Sequence, residues 1–156
     1  MATSRSVATE AAKAVSIEYK DLPVILSIED AIAASSYFRA DQKIEHGDLD
    51  DGFAVADHVM HGEHRIGGQE HFYLEPNGTL AVPKGEDGEI ELFSSTQNPH
   101  ETQMLVARVL GLPANRVVCR AKRLGGGFGG KETRSAFVST ATAVAAHHLR
   151  RPVRCV

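Results

Sequence analysis

Gly125-Gly126-Gly127-Phe128-Gly129-Gly130-Lys131-Glu132 sets five glycines in six positions, then a cation and an acid. Glycine loses more backbone freedom on folding than any other residue, so such a run needs a use. It tolerates positive φ and lets a ligand reach the main chain with no Cβ in the way. Successive N–H groups ahead of a helix also offer an anion site. Phe128, the one side chain in the run, reads as a placed apolar wall. Gly125, Gly127 and Gly130 satisfy the dinucleotide pattern GxGxxG, which wants an acid about 20 residues on. None follows Glu132. Gly125 to Lys131 nearly forms a Walker phosphate loop, but Glu132 stands where a hydroxyl should hold magnesium, and its charge would repel a triphosphate. What remains is a main-chain cradle with a carboxylate at its rim. Glu132 is either a solvated first-turn residue favoured by the helix dipole or a partner for a polar heterocycle.

The elements around the loop follow from local signals. Val117–Leu124 reads as a strand leading into it, and Thr133–Leu149 as a helix leading out. That helix is rich in Ala, Ser and Thr, which let it lie close to its neighbours. Upstream, Asn98 supplies an N-cap oxygen, Pro99 the first helical position and Glu101 the third, a capping box. Met104, Leu105, Arg108 and Val109 continue the helical period, and Gly111 with Pro113 stops it. Before this helix, alternation predicts strands at Val59–Ile66, His71–Leu74, Thr79–Val82 and Glu89–Ser94, joined as antiparallel hairpins, the last across the turn KGEDGE. Nearer the N-terminus come a helix over Ala8–Val15, short strands at Ser16–Lys20 and Val24–Ile28, and a helical turn over Glu29–Ala34. Ser35–Val55 is polar and turn-rich, with Asp48, Asp50 and Asp51, and reads as a linker. Pro152–Val156 reads as a strand without a partner, which suggests a piece of a longer protein.

The 156 residues are 42% apolar, 24% charged and 6% aromatic, enough for one domain with a real core. No apolar run approaches the ~18–20 residues of a spanning helix, and no continuous apolar stretch marks a secretory leader. Cys119 and Cys155 are too few for a four-thiolate zinc site or an iron–sulfur cluster, and read as reduced intracellular thiols. No histidine pair, among them His147 with His148, shows the spacing of a zinc site with a third ligand. Through Glu101 the chain has 19 acidic and 7 basic residues; from Thr102 it has 10 basic residues and one acid, Glu132. The basic half lacks the aromatic platforms of a nucleic-acid surface, and electrostatic complementarity between the halves explains it better.

Taken together, GGGFGGKETRS (Gly125–Ser135), GGQEHFYLE (Gly67–Glu75), AVPKGEDGEIELFSSTQN (Ala81–Asn98), VLGLPANRVVCRAKRL and KAVSIEYKDLPVILSIEDAI (Lys13–Ile32) resemble the molybdenum hydroxylases, in their xanthine-oxidising branch. The resemblance covers all but about the first dozen residues. Related aldehyde oxidases usually lack a glutamate where Glu132 stands. It implies an α+β fold of mixed strands and helices. Residues 1–33 would be the tail of an α/β-hammerhead domain, and 34–156 the start of a molybdopterin-binding domain. Gln97 matches the glutamine that reaches the molybdenum's oxygen ligand. Gly127, Phe128 and Gly129 match main chain lying against the cofactor, and Glu132 matches a glutamate that binds the purine. Gln69 is expected to be structural. The implied activity is hydroxylation of xanthine and hypoxanthine towards urate. Electrons would leave through 2Fe-2S clusters and FAD to NAD, in domains outside this chain. The resemblance further implies a homodimer in the cytoplasm, with the peroxisome as the alternative, and no membrane or nucleic-acid partner. The base and the other purine contacts would lie beyond Val156, so the chain alone is expected to be inactive. The competing readings are a non-catalytic phosphate- or nucleotide-binding module built on Gly125–Gly130, and an aldehyde oxidase.

Overall fold

The computed structural model describes residues 1–39, 42–85 and 87–156, which fall into two units, Met1–Ile66 and Gly67–Val156. Ala40 and Asp41 of the expected linker, and Glu86 of the expected turn, lie outside the described residues.

The first unit holds three short helices, each opened by a polar side chain. α1 (Arg5–Lys13) is capped by Ser4, whose Oγ accepts the Val7 N–H at 3.3 Å. α2 (Ile28–Ala33) is capped by Ser27 through the Asp30 N–H at 3.0 Å. α3 (Leu49–Ala54) lies inside the stretch read as linker. Its acidic run is a helix start: Asp48 Oδ1 accepts the N–H groups of Asp50 and Asp51, whose own charges suit the positive end of the helix dipole. The strands expected at Ser16–Lys20, Val24–Ile28 and Val59–Ile66 are irregular instead, with Ile28 opening α2. Alternating side chains do not make a strand without a second backbone paired to it, and among the described residues no strand pairs with these segments.

The second unit is a four-stranded sheet under two helices. β1 (Thr79–Lys84) and β2 (Glu89–Ser94) form the expected antiparallel hairpin, with Thr79 opposite Ser94 and Lys84 opposite Glu89. α4 (Pro99–Leu110) then crosses over to β3 (Val117–Arg120), which pairs parallel with β2, a βαβ unit that a series of hairpins does not contain. α5 (Ser135–Leu149) leads to β4 (Val153–Cys155), giving the order β3-β2-β1-β4. The terminal strand expected to stand unpaired is therefore paired: it runs antiparallel to β1, with Thr79 opposite Cys155 and Ala81 opposite Val153. His71–Leu74, expected as a strand, is irregular.

The caps of α4 are the ones its sequence announces. Asn98 Oδ1 accepts the Glu101 N–H at 3.1 Å, the Asn98 amide donates back to Glu101 Oε2 at 2.9 Å, and Gly111 closes the helix at φ 67°. Val106 and Ala107 of α4, and Ala143 and Ala146 of α5, bury against Ala81, Ile90, Leu92 and Val117. The small side chains of α5 bring it close enough for hydroxyls to meet: Ser139 Oγ lies 2.8 Å from Thr79 Oγ1 and 2.9 Å from Ser94 Oγ, all three residues buried. Burial against this core pushes the Cys119 thiol up to about 11, so it stays protonated and inert. The acidic and basic stretches meet across the sheet edge, where Arg116 bonds Asp87 at 3.1 Å and Glu89 at 3.3 Å and Arg120 pairs with Glu91. Such exposed pairs add little stability each.

Candidate functional site

The site grows from the end of β2. Beyond Ser94 the chain places Ser95, Thr96 and Gln97 ahead of α4, facing the turns that lead into α5. The Gln97 N–H donates to Lys131 O at 2.9 Å, and Thr96 Oγ1 and Ser135 Oγ bond the same carbonyl at 3.2 and 3.0 Å. The Gly125–Lys131 loop is thus fastened to the sheet at its far end. Its near end is fastened by the His71–Glu75 segment: Glu75 donates its N–H to Gly125 O at 3.3 Å and accepts the Gly125 N–H on Oε2 at 2.7 Å.

Within the loop the backbone takes conformations that demand these residues. Gly126 and Gly129 sit at φ 102° and 89°, and Phe128 at 52°, a left-handed position uncommon for an aromatic residue. Gly127 has no room for a methyl group, since a Cβ there would lie 2.6 Å from Gln97 Oε1. At Gly130 a Cβ would meet His71 Cγ and Tyr73 Cε1 at 2.8 Å. The glycines serve close approach from both sides and left-handed turns, so the loop is a built feature and no slack connection.

Gln97 is oriented by the loop. Its Oε1 accepts the main-chain N–H groups of Gly129 at 3.0 Å and Lys131 at 3.2 Å. Two donors aimed at one atom identify it as the oxygen, which turns the amide NH2 away from the loop as a donor. A group with bare acceptor oxygens is what such a donor recognises. Among the described residues, the N–H groups of Gly126, Gly127 and Phe128 are also unengaged, and Phe128 is 75% exposed beside them. These features fit an acceptor-rich, flat-faced cofactor: one amide donor, bare main chain, and an apolar wall.

Glu132 follows on the same turns, its N–H bonded to Gly129 O at 3.3 Å and its residue exposed. Among the described residues its carboxylate has no hydrogen-bond partner, which leaves it able to bind a ligand's N–H or hydroxyl. The structure thus brings Gln97, Gly127, Phe128, Gly129 and Glu132 onto one loop and its support. Gln69 is exposed in irregular chain ahead of that support, and the packing role expected of it falls to His71, Tyr73 and Glu75.

Lys131 is a residue to which the sequence reading gave no role. A phosphate-loop lysine must reach outward, whereas this side chain has no exposed surface. Its Nζ bonds Ser95 Oγ at 2.8 Å and Glu75 Oε2 at 3.2 Å and lies 4.5 Å from the centre of the Tyr73 ring. The available signal was GGQEHFYLE itself, whose acid and aromatic at Glu75 and Tyr73 are the partners such a cation needs. The Glu75 carboxyl is held below the usual carboxylate range, chiefly by the Gly125 N–H and then by Ser95 and Lys131.

A loop of open main chain beside one outward amide donor has the features of a cofactor-binding domain. The family described as the molybdopterin cofactor-binding domain matches residues 31–156, and the chain belongs to it. Among curated proteins the chain is similar to xanthine dehydrogenase/oxidase of Rattus norvegicus, 62% identical over 149 residues, which are 96% of this chain and 11% of that protein. It is similar also to xanthine dehydrogenase of Emericella nidulans, 56% identical over 156 residues, all of this chain and 11% of that protein. The chain therefore spans about a ninth of the length of these relatives. Among solved structures it resembles quinoline 2-oxidoreductase from Pseudomonas putida 86 (TM-score 0.76, 26% identity, 98% of this chain and 20% of that one). Aldehyde oxidoreductase from Desulfovibrio gigas is a second likeness (TM-score 0.73, 29% identity, 98% and 18%). Among the described residues no helix is long and apolar enough to cross a membrane.

Proposed function

We propose that this chain is part of a molybdenum hydroxylase that oxidises xanthine and hypoxanthine towards urate, and that the Gly125–Lys131 loop with Gln97 forms one wall of its cofactor site. The observation that carries this reading is Gln97, whose amide oxygen is consumed by Gly129 and Lys131, so that only its NH2 faces outward. Residues 1–33 are read as the end of a hammerhead domain and 34–156 as the start of the cofactor-binding domain. The molybdenum–molybdopterin group would supply the hydroxylating and electron-accepting chemistry. This chain's own residues bind and orient: Gln97 donates to an oxygen of the cofactor, and the bare main chain of Gly127–Gly129 admits it closely. The Phe128 ring excludes water from one side. Glu132 accepts a hydrogen bond from a proton-bearing edge of the purine, a charge-assisted contact that fixes the ring's orientation and its reacting form against the cofactor. FAD, 2Fe-2S clusters and the electron acceptor NAD belong to other domains of the parent, which we read as a cytoplasmic homodimer. The glutamate favours a purine over an aldehyde, since an aldehyde offers no N–H for it to accept.

A nucleotide- or phosphate-binding module is disfavoured by the same geometry. Built on the Gly125–Gly130 main chain alone, it would gain no charge from Lys131, which Glu75, Ser95 and Tyr73 hold, and an anion there would lie beside the exposed Glu132 carboxylate. Metal analysis and urate formation on the full-length protein test the proposal. We expect molybdenum bound to each chain, urate produced from xanthine, and no urate from the 156-residue chain alone. Metal-free protein that binds nucleoside phosphates would overturn the reading.

A further inference from the structure

The side chains of Glu75 and Lys131 carry no role in the function proposed above, yet they close the loop on which it depends. One oxygen, Glu75 Oε2, accepts the N–H of Gly125 at 2.7 Å and the Nζ of Lys131 at 3.2 Å. Those residues are the first of the glycine run and the one directly after its last glycine, so a single atom holds both ends. An ammonium with no exposed surface is costly unless it is paired and hydrogen-bonded. Here Glu75, Ser95 Oγ at 2.8 Å and the Tyr73 ring at 4.5 Å supply what water would. The segment carrying Glu75 also fills the space at both ends of the run. A Cβ on Gly125 would lie 2.6 Å from Glu75 Cβ, and one on Gly130 would lie 2.8 Å from Tyr73 Cε1. The main-chain N–H of the same Lys131 is one of the two donors that orient Gln97.

We propose that Glu75 and Lys131 are positioning residues. Their ion pair sets the path of Gly125–Lys131 and, through the Lys131 main chain, the direction in which Gln97 presents its NH2 to an oxygen-bearing ligand. The inference rests on the reading of the loop as the cofactor wall. It differs from a general stabilising role in being local. Losing the pair frees the loop and Gln97 while β1, β2 and α5 keep their own core.

The test uses the full-length protein with Glu75→Gln, Lys131→Met and the double variant. Glu75→Gln keeps the shape and an acceptor for Gly125 but removes the charge; Lys131→Met removes the ammonium and nearly conserves volume. We expect each single change to speed hydrogen exchange at the Gly129 and Lys131 amides about tenfold, and kcat for xanthine to fall with KM unchanged. The double variant should fall short of the two effects combined, because it leaves no unpaired buried charge. Unchanged exchange at those two amides in both single variants, or strict additivity in the double, would overturn the proposal. So would exchange that rises equally across β1 and β2. Should a single variant fail to fold, Ser95→Ala removes only one partner of the ammonium and should show the same local pattern at about two- to threefold. Molybdenum content of the unaltered protein separates the two ideas: its absence defeats the cofactor reading, while the exchange contrast still judges the pair.

Discussion

Glu75 gives the site a defined response to acid. Its carboxyl is held below the usual range, chiefly by the Gly125 N–H, so the folded state favours the charged form. The stability this contributes is fully present above the ordinary carboxylate pKa and disappears as pH falls through the lowered folded value. Urea midpoints of the 156-residue chain should therefore drop on acidification below the ordinary carboxylate range, and Glu75→Gln should flatten that drop. An unchanged acid profile in the variant would remove the carboxylate from the loop's support. The same residue shows what one sequence can and cannot reveal. Five glycines and a neighbouring acid announce a cradle, because their cost is local and visible. The partner that holds the cradle is 50 positions upstream in Glu75, and no spacing rule links the two. The surroundings of Lys131 are equally nonlocal, since the partners of its Nζ come from two separate upstream segments, Tyr73 with Glu75, and Ser95.

At the scale of elements, legibility follows how local the signal is. α4 was written out by Asn98, Pro99, Glu101 and Gly111, and each performs its expected task in the structure. Asn98→Ala should cost about 1 kcal/mol, read as a lower urea midpoint with unchanged slope, because it strands the N–H groups of the first turn. A silent substitution would mean that water caps the helix equally well. Strands are different. Thr79–Lys84 and Glu89–Ser94 are joined by a short turn and were found, whereas the parallel partnership of β2 with β3 depends on a crossover through α4. Ser16–Lys20 and Val59–Ile66 carry the alternation of strands and none of the pairing. The acidic stretch at Asp48 misled in the opposite sense, since caps and linkers share the same residues.

The two units differ in how much they bury. In Gly67–Val156 a small core of Ala81, Ile90, Leu92, Val106, Val117 and Ala143 supports the loop. In Met1–Ile66 no described residue is buried, and Leu26, Phe38 and Ile44 are almost fully exposed. The chain spans about a ninth of its relatives' length. The resemblance in sequence named the family, and the fold explains why the motifs that carry it lie so far apart: GGQEHFYLE, SSTQN and GGGFGGKET are three segments that hydrogen-bond one another at Gly125–Lys131. The measurement that tests this most directly is made on the full-length protein with Glu132→Ala, recording molybdenum per chain alongside urate formation from xanthine. Since the Glu132 side chain supports neither the loop nor Gln97, we expect the metal to be retained while turnover falls about a hundredfold, the scale of one lost transition-state hydrogen bond. Equal loss of metal and turnover, or unaltered turnover, would contradict the role assigned to this loop.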